Sequence, residues 1–371
     1  GVPLPFAAGA SLRRATRPNA EGRGDGSASR PGPGHRRYPR RLHAEGCGDG
    51  RALSMFSRDA IDSARRVVYA AMAPTPQQRW PQLDRHLGAQ LWVKHENHTP
   101  TGAFKVRGGL TYFEGWRRRE PKCTAVISAT RGNHGQSVGF AALRHDMAAT
   151  IVAPLGNSVE KNAAMRALGV DVIEHGQDFQ ESREHAVLLA GQRGLHMVPS
   201  FHEDLVRGVA TYWVEFFEAI QPDVVFVPIG LGSGICACAA ARAHVGAKSR
   251  IVGVVSAHAT TYRQSFEAGR VIEAPVTTVL ADGLACRIAE PQALEIMRRE
   301  VDDVIAVSDT EIGAAMRTLF ACTHNVAEGA GAAALAGAWQ QRERWRGRCV
   351  GVTITGGNVD SALFAQTLIG P

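Results

Sequence analysis

Lys105 stands just after a Thr-Gly-Ala-Phe turn, with the short apolar run Gln90-Leu91-Trp92-Val93 upstream and a helical pattern over 106–119 downstream. A lysine at a strand–turn–helix junction can be shielded from water, which lowers its pKa and frees the amine to act as nucleophile or base. An isolated lysine in such a setting is more often a surface residue that starts an ordinary helix. Three further loops shift that balance. Residues 128–136 read SATRGNHGQ and set the side chains of Thr130, Arg131, Asn133 and His134, with Gly132, beside the free N–H groups of a helix start. Such a start suits a carboxylate or another anion. A polar cap with Asn133 in a left-handed turn is the structural alternative, but it accounts for only two of these residues. Residues 228–235 read PIGLGSGI, where Gly230, Gly232 and Gly234 allow close backbone approach and a nest of N–H groups around a phosphate. The spacing is G-x-G-x-G, which is neither the dinucleotide fingerprint nor a P-loop, and such turns also serve tight packing. The fourth loop, 353–360, reads TITGGNVD and places Thr355 before two glycines.

All four loops follow short apolar, β-rich runs. After the run at 90–93, these runs lie at 125–127, 150–152, 171–173, 196–198, 224–227, 251–255, 304–307 and 349–354. Helical patterns come at 57–72, 136–143, 160–168, 180–193, 237–244, 291–299, 310–323 and 330–342. Strands alternating with helices of this length predict an α/β protein with parallel sheets between helical layers. In open α/β sheets, ligands bind at the carboxyl ends of strands, which is where the four loops fall.

The chain of 371 residues is 44% hydrophobic, enough for a large core, and no apolar run reaches the roughly 18–20 residues of a spanning helix. A soluble protein without membrane partners is expected. The net charge of +7 is concentrated in residues 1–54, which hold 10 Arg against 4 acidic residues. The remainder is nearly neutral, with 32 basic and 31 acidic residues, so nucleic acid is discarded as a partner. Residues 1–54 also hold 10 Gly and 6 Pro without apolar periodicity, and are read as a disordered or non-native extension. An organelle-targeting arm is the competing reading. Seven scattered cysteines, with one C-x-C and no second pair at zinc spacing, point to a reducing, cytoplasmic setting.

Taken together and in this order, TGAFKVRGG, SATRGNHGQ, PIGLGSG, ADGLACR at 281–287, AEGAGAAAL at 327–335 and ITGGN at 354–358 resemble the fold-type II pyridoxal-phosphate enzymes. Within them the chain is similar to the serine/threonine dehydratase (threonine ammonia-lyase) branch, from Met55 to the C-terminus. The resemblance implies two open, mostly parallel α/β domains of the tryptophan synthase β-like type. Residues 55–123 with 201–371 would form the larger, cofactor-binding domain and 124–200 the smaller. It further implies pyridoxal 5'-phosphate as cofactor, bonded to Lys105 as a Schiff base, with Phe104 against the ring and Asn133 at the phenolic oxygen. The amides of Gly230, Leu231, Gly232, Ser233 and Gly234 would hold the phosphate, and Thr355 would sit at the pyridine nitrogen. Glu328 would lie close to the cofactor. Thr130, Arg131, Gly132 and His134 would take the substrate carboxylate.

The implied activity is elimination of the hydroxyl of a β-hydroxy-α-amino acid, with L-threonine and L-serine first, giving a 2-oxo acid and ammonia. A 3-hydroxyaspartate or aryl-serine dehydratase, a β-replacement synthase and a non-catalytic ligand-binding relative are the alternatives. Lys105 would serve as general base. Serine racemases of the family carry a serine where this chain has Arg131, so racemisation is not expected, and Arg131 can grip a carboxylate or point outward. The segment after the strand at 251, VSAHATT, lacks the acidic residues that bind metal in some relatives, so no metal is predicted. The 13 residues after Asn358 are too few for the regulatory domain of biosynthetic threonine dehydratases, and a short catabolic type is expected. Relatives are commonly homodimers, and the same is expected by analogy.

Overall fold

Alternating apolar and helical segments build two sheets of unequal size in the computed structural model, which describes residues 56–370. The extension read at 1–54 lies outside the described residues. The chain starts with α1 (Arg58–Tyr69), β1 (Gln77–Arg79), α2 (Pro81–Leu87), β2 (Gln90–His95) and α3 (Lys105–Arg119). It continues through β3 (Ala125–Ala129), α4 (Asn133–Arg144), β4 (Ala148–Ala153), α5 (Val159–Ala167), β5 (Asp171–Glu174), α6 (Phe179–Arg193) and β6 (His196–Met197). Then come α7 (Glu203–Ala219), β7 (Val224–Pro228), α8 (Ser233–Val245), β8 (Arg250–Ser256), α9 (Thr261–Ala268) and α10 (Pro291–Glu300). The last elements are β9 (Asp303–Val307), α11 (Asp309–Thr323), α12 (Gly329–Gln340), β10 (Cys349–Ile354) and α13 (Ser361–Ile369).

The larger sheet has the order β1-β2-β10-β7-β8-β9 and is parallel except for β1, which pairs antiparallel with β2. The smaller sheet, β5-β4-β3-β6, is wholly parallel, and all its strands lie between 125 and 197. Parallel strands covered on both faces read as unbroken apolar runs, as in Val224–Pro228, where every residue is buried. One face of the larger sheet packs on α7 and α8, with Trp213, Phe216 and Phe217 in the same core as Val225 and Val227. The other face carries α12, whose Ala332, Ala333 and Ala334 join Phe226 and Val254 in a second core.

Several elements escaped the periodicity. The α7 helix was not read, although Asp204, Arg207, Thr211, Glu215 and Glu218 recur at helical spacing; 13 of its 17 residues are buried. It is enclosed between α3, α8 and the sheet, so polar Thr211 and Glu215 are buried along with its apolar residues. The short elements β1, α2, α9 and α13 also went unread. Two helix starts matter more. The α4 helix begins at Asn133 and α8 at Ser233, three and four residues ahead of the expected starts. Asn133, His134, Ser233 and Gly234 are thus first-turn residues, and their N–H groups lack partners within the helix.

Candidate active site

The lysine turn is stitched to the end of the last strand. Phe104 N donates to Thr355 O at 3.0 Å, Gly357 N donates to Gly102 O at 2.9 Å, and Ala103 bridges Gly356. Thr99 closes the turn from within, its Oγ1 accepting from Ala103 N at 2.9 Å and donating to Ala103 O at 2.8 Å. Two residues beyond Lys105, the buried Arg107 donates through Nε to Glu96 Oε2 at 2.8 Å and through Nη1 to Glu215 Oε1 at 2.6 Å. Lys94 Nζ pairs with the same Glu215. This network anchors the first turn of α3 to β2 and α7, and so fixes where Lys105 projects.

The Lys105 side chain enters a cavity walled by Phe104, Asn133, Tyr212, Gly230, Leu231, Gly232, Ser233, Gly234, Gly283, Leu284, Glu328 and Thr355. Burial lowers the Lys105 pKa to about 8, while Glu328 pulls it back up. Lys105 is half-buried, its remaining surface turned to the cavity it lines. Nζ lies 4.8 Å from the centre of the Phe104 ring.

Opposite the lysine, Gly232 has φ 98° and caps α8. A Cβ on Gly232 would lie 2.5 Å from Ala293 Cβ, and one on Gly230 would lie 2.5 Å from the Gly283 carbonyl oxygen. Only glycine fits at these two positions. Tyr262 Oη donates to Leu231 O at 2.9 Å and accepts from Glu290 N at 3.0 Å, so the loop is held from behind. The result is a concave run of N–H groups at a helix N-terminus, a shape that receives phosphate.

A polar chain crosses the floor of the cavity. Asn358 Nδ2 donates to Asn133 Oδ1 at 2.9 Å, and Asn133 Nδ2 donates to Glu328 Oε1 at 2.6 Å. Lys161 Nζ donates to Asp282 Oδ2 at 2.7 Å and lies 3.2 Å from Glu328 Oε2. The second contact is an ion pair without hydrogen-bond geometry, and Oε2 has no hydrogen-bond partner among the described residues. Burial pushes the Glu328 carboxyl up, against the pull of Lys161.

The structure therefore gathers Lys105, Phe104, Asn133, Gly230–Gly234, Glu328 and Thr355 around one cavity. Thr130, Arg131, Gly132 and His134 lie beside Asn133 in the β3–α4 turn but outside the cavity wall. Gly132 N donates to Thr130 Oγ1 at 3.1 Å. His134 is buried and hydrogen-bonded to the Pro199 carbonyl; burial first and the Lys105 charge second lower its pKa to about 3. The ring is neutral at ordinary pH. Arg131 Nε and His134 Nε2 are buried without partners among the described residues. Lys161 and Tyr212 were not expected in the site. Asp282 and Asn358 lay within motifs but carried no assigned role, and the sequence around Lys161 offers no signal at all.

Residues 68–356 match the family described as pyridoxal-phosphate dependent enzyme. An L-threo-3-hydroxyaspartate ammonia-lyase from Pseudomonas sp is 31% identical over 315 residues, covering 84% of this chain and 98% of that protein. An L-threonine ammonia-lyase from Geobacter sulfurreducens is 36% identical over 278 residues, covering 74% of this chain and 68% of that protein. Among solved structures, the processed threonine deaminase isoform 2 of Solanum lycopersicum superposes with a TM-score of 0.80 at 27% identity, covering 87% of this chain and 95% of that one. Maize serine racemase follows with a TM-score of 0.78 at 26% identity, covering 84% and 97%. With its lysine, glycine cradle and polar floor in one cavity, this chain belongs to the pyridoxal-phosphate dependent enzyme family.

Proposed function

We propose that the chain is a pyridoxal-phosphate ammonia-lyase that removes the hydroxyl of a small β-hydroxy-α-amino acid, L-threonine or L-serine first, to give a 2-oxo acid and ammonia. One observation carries this reading: a half-buried lysine, its pKa lowered to about 8 by desolvation, shares a cavity with a glycine-shaped run of N–H groups. The residues present fit the cofactor. The 230–234 amides and the α8 N-terminus suit a phosphate dianion, and Phe104 offers a flat apolar wall. Thr355 presents a hydroxyl in place of a charged partner for a ring nitrogen.

When bound, pyridoxal phosphate supplies the electron sink that accepts the pair left at Cα. The chain's own groups do the rest. Lys105 Nζ takes the Cα proton, for which a neutral amine is needed, and burial lowers its pKa to about 8, so far more of it is neutral near physiological pH than of an exposed lysine. The 130–134 turn, at the start of α4, receives the substrate carboxylate. His134 stays neutral and adds no charge of its own. Asn133, held between Asn358 and Glu328, has its amide orientation set by both and turns a fixed face to the cavity. The proton that Lys105 took balances the one the β-hydroxyl needs to leave as water, and the freed enamine tautomerises and is hydrolysed by a second water to the 2-oxo acid and ammonia. Thr355, a neutral partner, keeps the sink weak, which favours elimination over transamination.

A second substrate, 3-hydroxyaspartate, is favoured by a specific feature. Arg131 has a buried Nε without partner among the described residues, and a second substrate carboxylate would fill it. Two relatives called L-threo-3-hydroxyaspartate ammonia-lyase also align along 98% and 96% of their lengths. The six cysteines described are free thiols, consistent with a cytoplasmic enzyme, and no described helix is long and apolar enough to cross a membrane. A homodimer is proposed from family likeness. The deciding experiment records the visible spectrum of the purified chain with pyridoxal phosphate. It then measures 2-oxo acid and ammonia from L-threonine, L-serine and L-threo-3-hydroxyaspartate. A chain that develops no visible band with the cofactor, or releases no ammonia from any of the three, would refute the reading.

A further inference from the structure

Lys161 is a buried cation that the chemistry above leaves unused. It projects from α5, in the layer of the smaller sheet, and its side chain is only 7% exposed. Its two carboxylate partners both come from the layer of the larger sheet. Asp282 precedes Gly283 and Leu284, which wall the cavity, and Glu328 caps α12. The aliphatic stem lies against Gly132, where a Cβ would come within 2.5 Å of Lys161 Cδ. The same seam is closed nearby by Ser158 Oγ donating to Asp360 Oδ1, and by Ser361 N donating to Glu160 Oε1 at 2.8 Å.

Glu328 stands between two lysines. Burial first, and the nearby Asp282 charge after it, drive Glu328 to take up a proton, while Lys161 is the largest influence opposing them. Burial likewise disfavours the Lys161 charge, yet Glu328 and Asp282 together hold that ammonium above the usual lysine range. Glu328 in turn accepts from Asn133 Nδ2, and its negative charge raises the proton affinity of Lys105.

We propose that Lys161 is a positioning residue: it keeps Glu328 charged and seated on Asn133 beside Lys105, and it can do so only while the two sheet layers are closed on each other. Formation of the cofactor pocket and apposition of the layers are then a single event. This rests on the reading that Lys105 carries the cofactor.

The test uses the full chain loaded with pyridoxal phosphate and compares wild type, Lys161→Met, Lys161→Arg and Glu328→Gln. The readouts are the pH titration of the visible absorption band and amide hydrogen exchange over 158–167. In Lys161→Met the buried Glu328 takes up a proton, so the protonated form of the chromophore loses its anionic neighbour. Its pH midpoint falls by about one unit or more. Exchange over 158–167 speeds by about tenfold or more. Lys161→Arg, which keeps the charge, returns both toward wild type. An unchanged midpoint in a folded Lys161→Met protein overturns the proposal, even if exchange rises, because Lys161 would then be a structural strap only. If Lys161→Met does not fold, the pair Lys161→Met/Glu328→Gln, which leaves no deeply buried charge without a partner, decides. It should titrate as Glu328→Gln alone does, and a further shift of the midpoint overturns the proposal. A wild-type chain without a visible band would instead strike the cofactor reading itself, and the proposal with it.

Discussion

Replacing Gly232 by alanine tests whether the 230–234 loop owes its shape to glycine and uses that shape to hold phosphate. The backbone there has φ 98°, and a Cβ would lie 2.5 Å from Ala293 Cβ and 3.0 Å from Tyr262 Oη. An L-residue in left-handed backbone costs about 1–2 kcal/mol. Carbon atoms prefer about 3.5–4.0 Å, so the loop and α10 must separate by about 1 Å or more. Such overpacking costs about 1–3 kcal/mol, for a total of about 2–5 kcal/mol. Ala293 is completely buried in the core of α8 and α10, so the loop is the partner that gives way. Its tilt takes the Ser233 and Gly234 amides off the phosphate. Hydrogen bonds to charged groups contribute about 1.5–3 kcal/mol each, so losing one lowers pyridoxal-phosphate affinity by about 10- to 100-fold. The assays are urea unfolding without cofactor and titration of the visible band with cofactor. Gly234→Ala is the control, since its Cβ would meet Phe104 Cζ at an ordinary 3.7 Å. That variant should stay within about 0.5 kcal/mol of wild type in unfolding. A Gly232→Ala protein with wild-type stability and wild-type cofactor affinity would refute the reasoning.

Three other outcomes follow from the same geometry. Lys105 has a pKa of about 8 in the folded chain against a model-peptide value of 10.5, so its amine is neutral above about pH 8. The rate at which cofactor-free protein captures pyridoxal phosphate, followed by stopped-flow absorbance, should rise through that pH and then level off. By the same sign, the cofactor-free protein loses stability as pH falls from the unfolded toward the folded pKa, and Lys105→Ala removes that slope along with activity. Arg107→Met leaves Glu96 and Glu215 buried without their main cation, and should cost about 3–5 kcal/mol in urea unfolding. Burial raises the Glu215 carboxyl, but Arg107 and Lys94 outweigh it and hold it low, so this stabilisation is present above the unfolded carboxylate pKa and is lost as acid titrates the folded group. Arg131→Ala should raise KM for L-threo-3-hydroxyaspartate by about 10-fold or more while leaving L-threonine turnover within a few-fold. Equal effects on both substrates would remove Arg131 from any role in specificity.

Much of the site was legible because its chemistry is local. The glycines of 230–234, Asn133 and Thr355 each sit directly after an apolar run and Lys105 after a compact turn, and a turn's residue types are dictated by its own backbone. Gly232 must be glycine because of its φ and the Ala293 methyl, and that need is visible as a Gly-rich stretch before any partner is known. The parallel strands were legible for the same reason: burial on both faces writes an unbroken apolar run such as Val224–Pro228. In α7, whose Tyr212 walls the cavity, polar Thr211 and Glu215 are buried beside the apolar residues, so burial there does not follow polarity.

The pairings that charge and aim the site carry no such mark. Glu328 meets Asn133 across 195 residues of chain, Lys161 meets Asp282 across 121, and Arg107 meets Glu215 across 108. Each of these residues alone looks like an ordinary surface charge or amide. The sequence by itself determined which loops could hold a lysine-bound phosphate cofactor, because backbone conformation and first-turn N–H groups are properties of neighbours in the chain. Only the tertiary structure decided which buried charges face one another. Burial makes an unpartnered charge costly, so ion pairs are selected by distance in space and not by spacing in sequence.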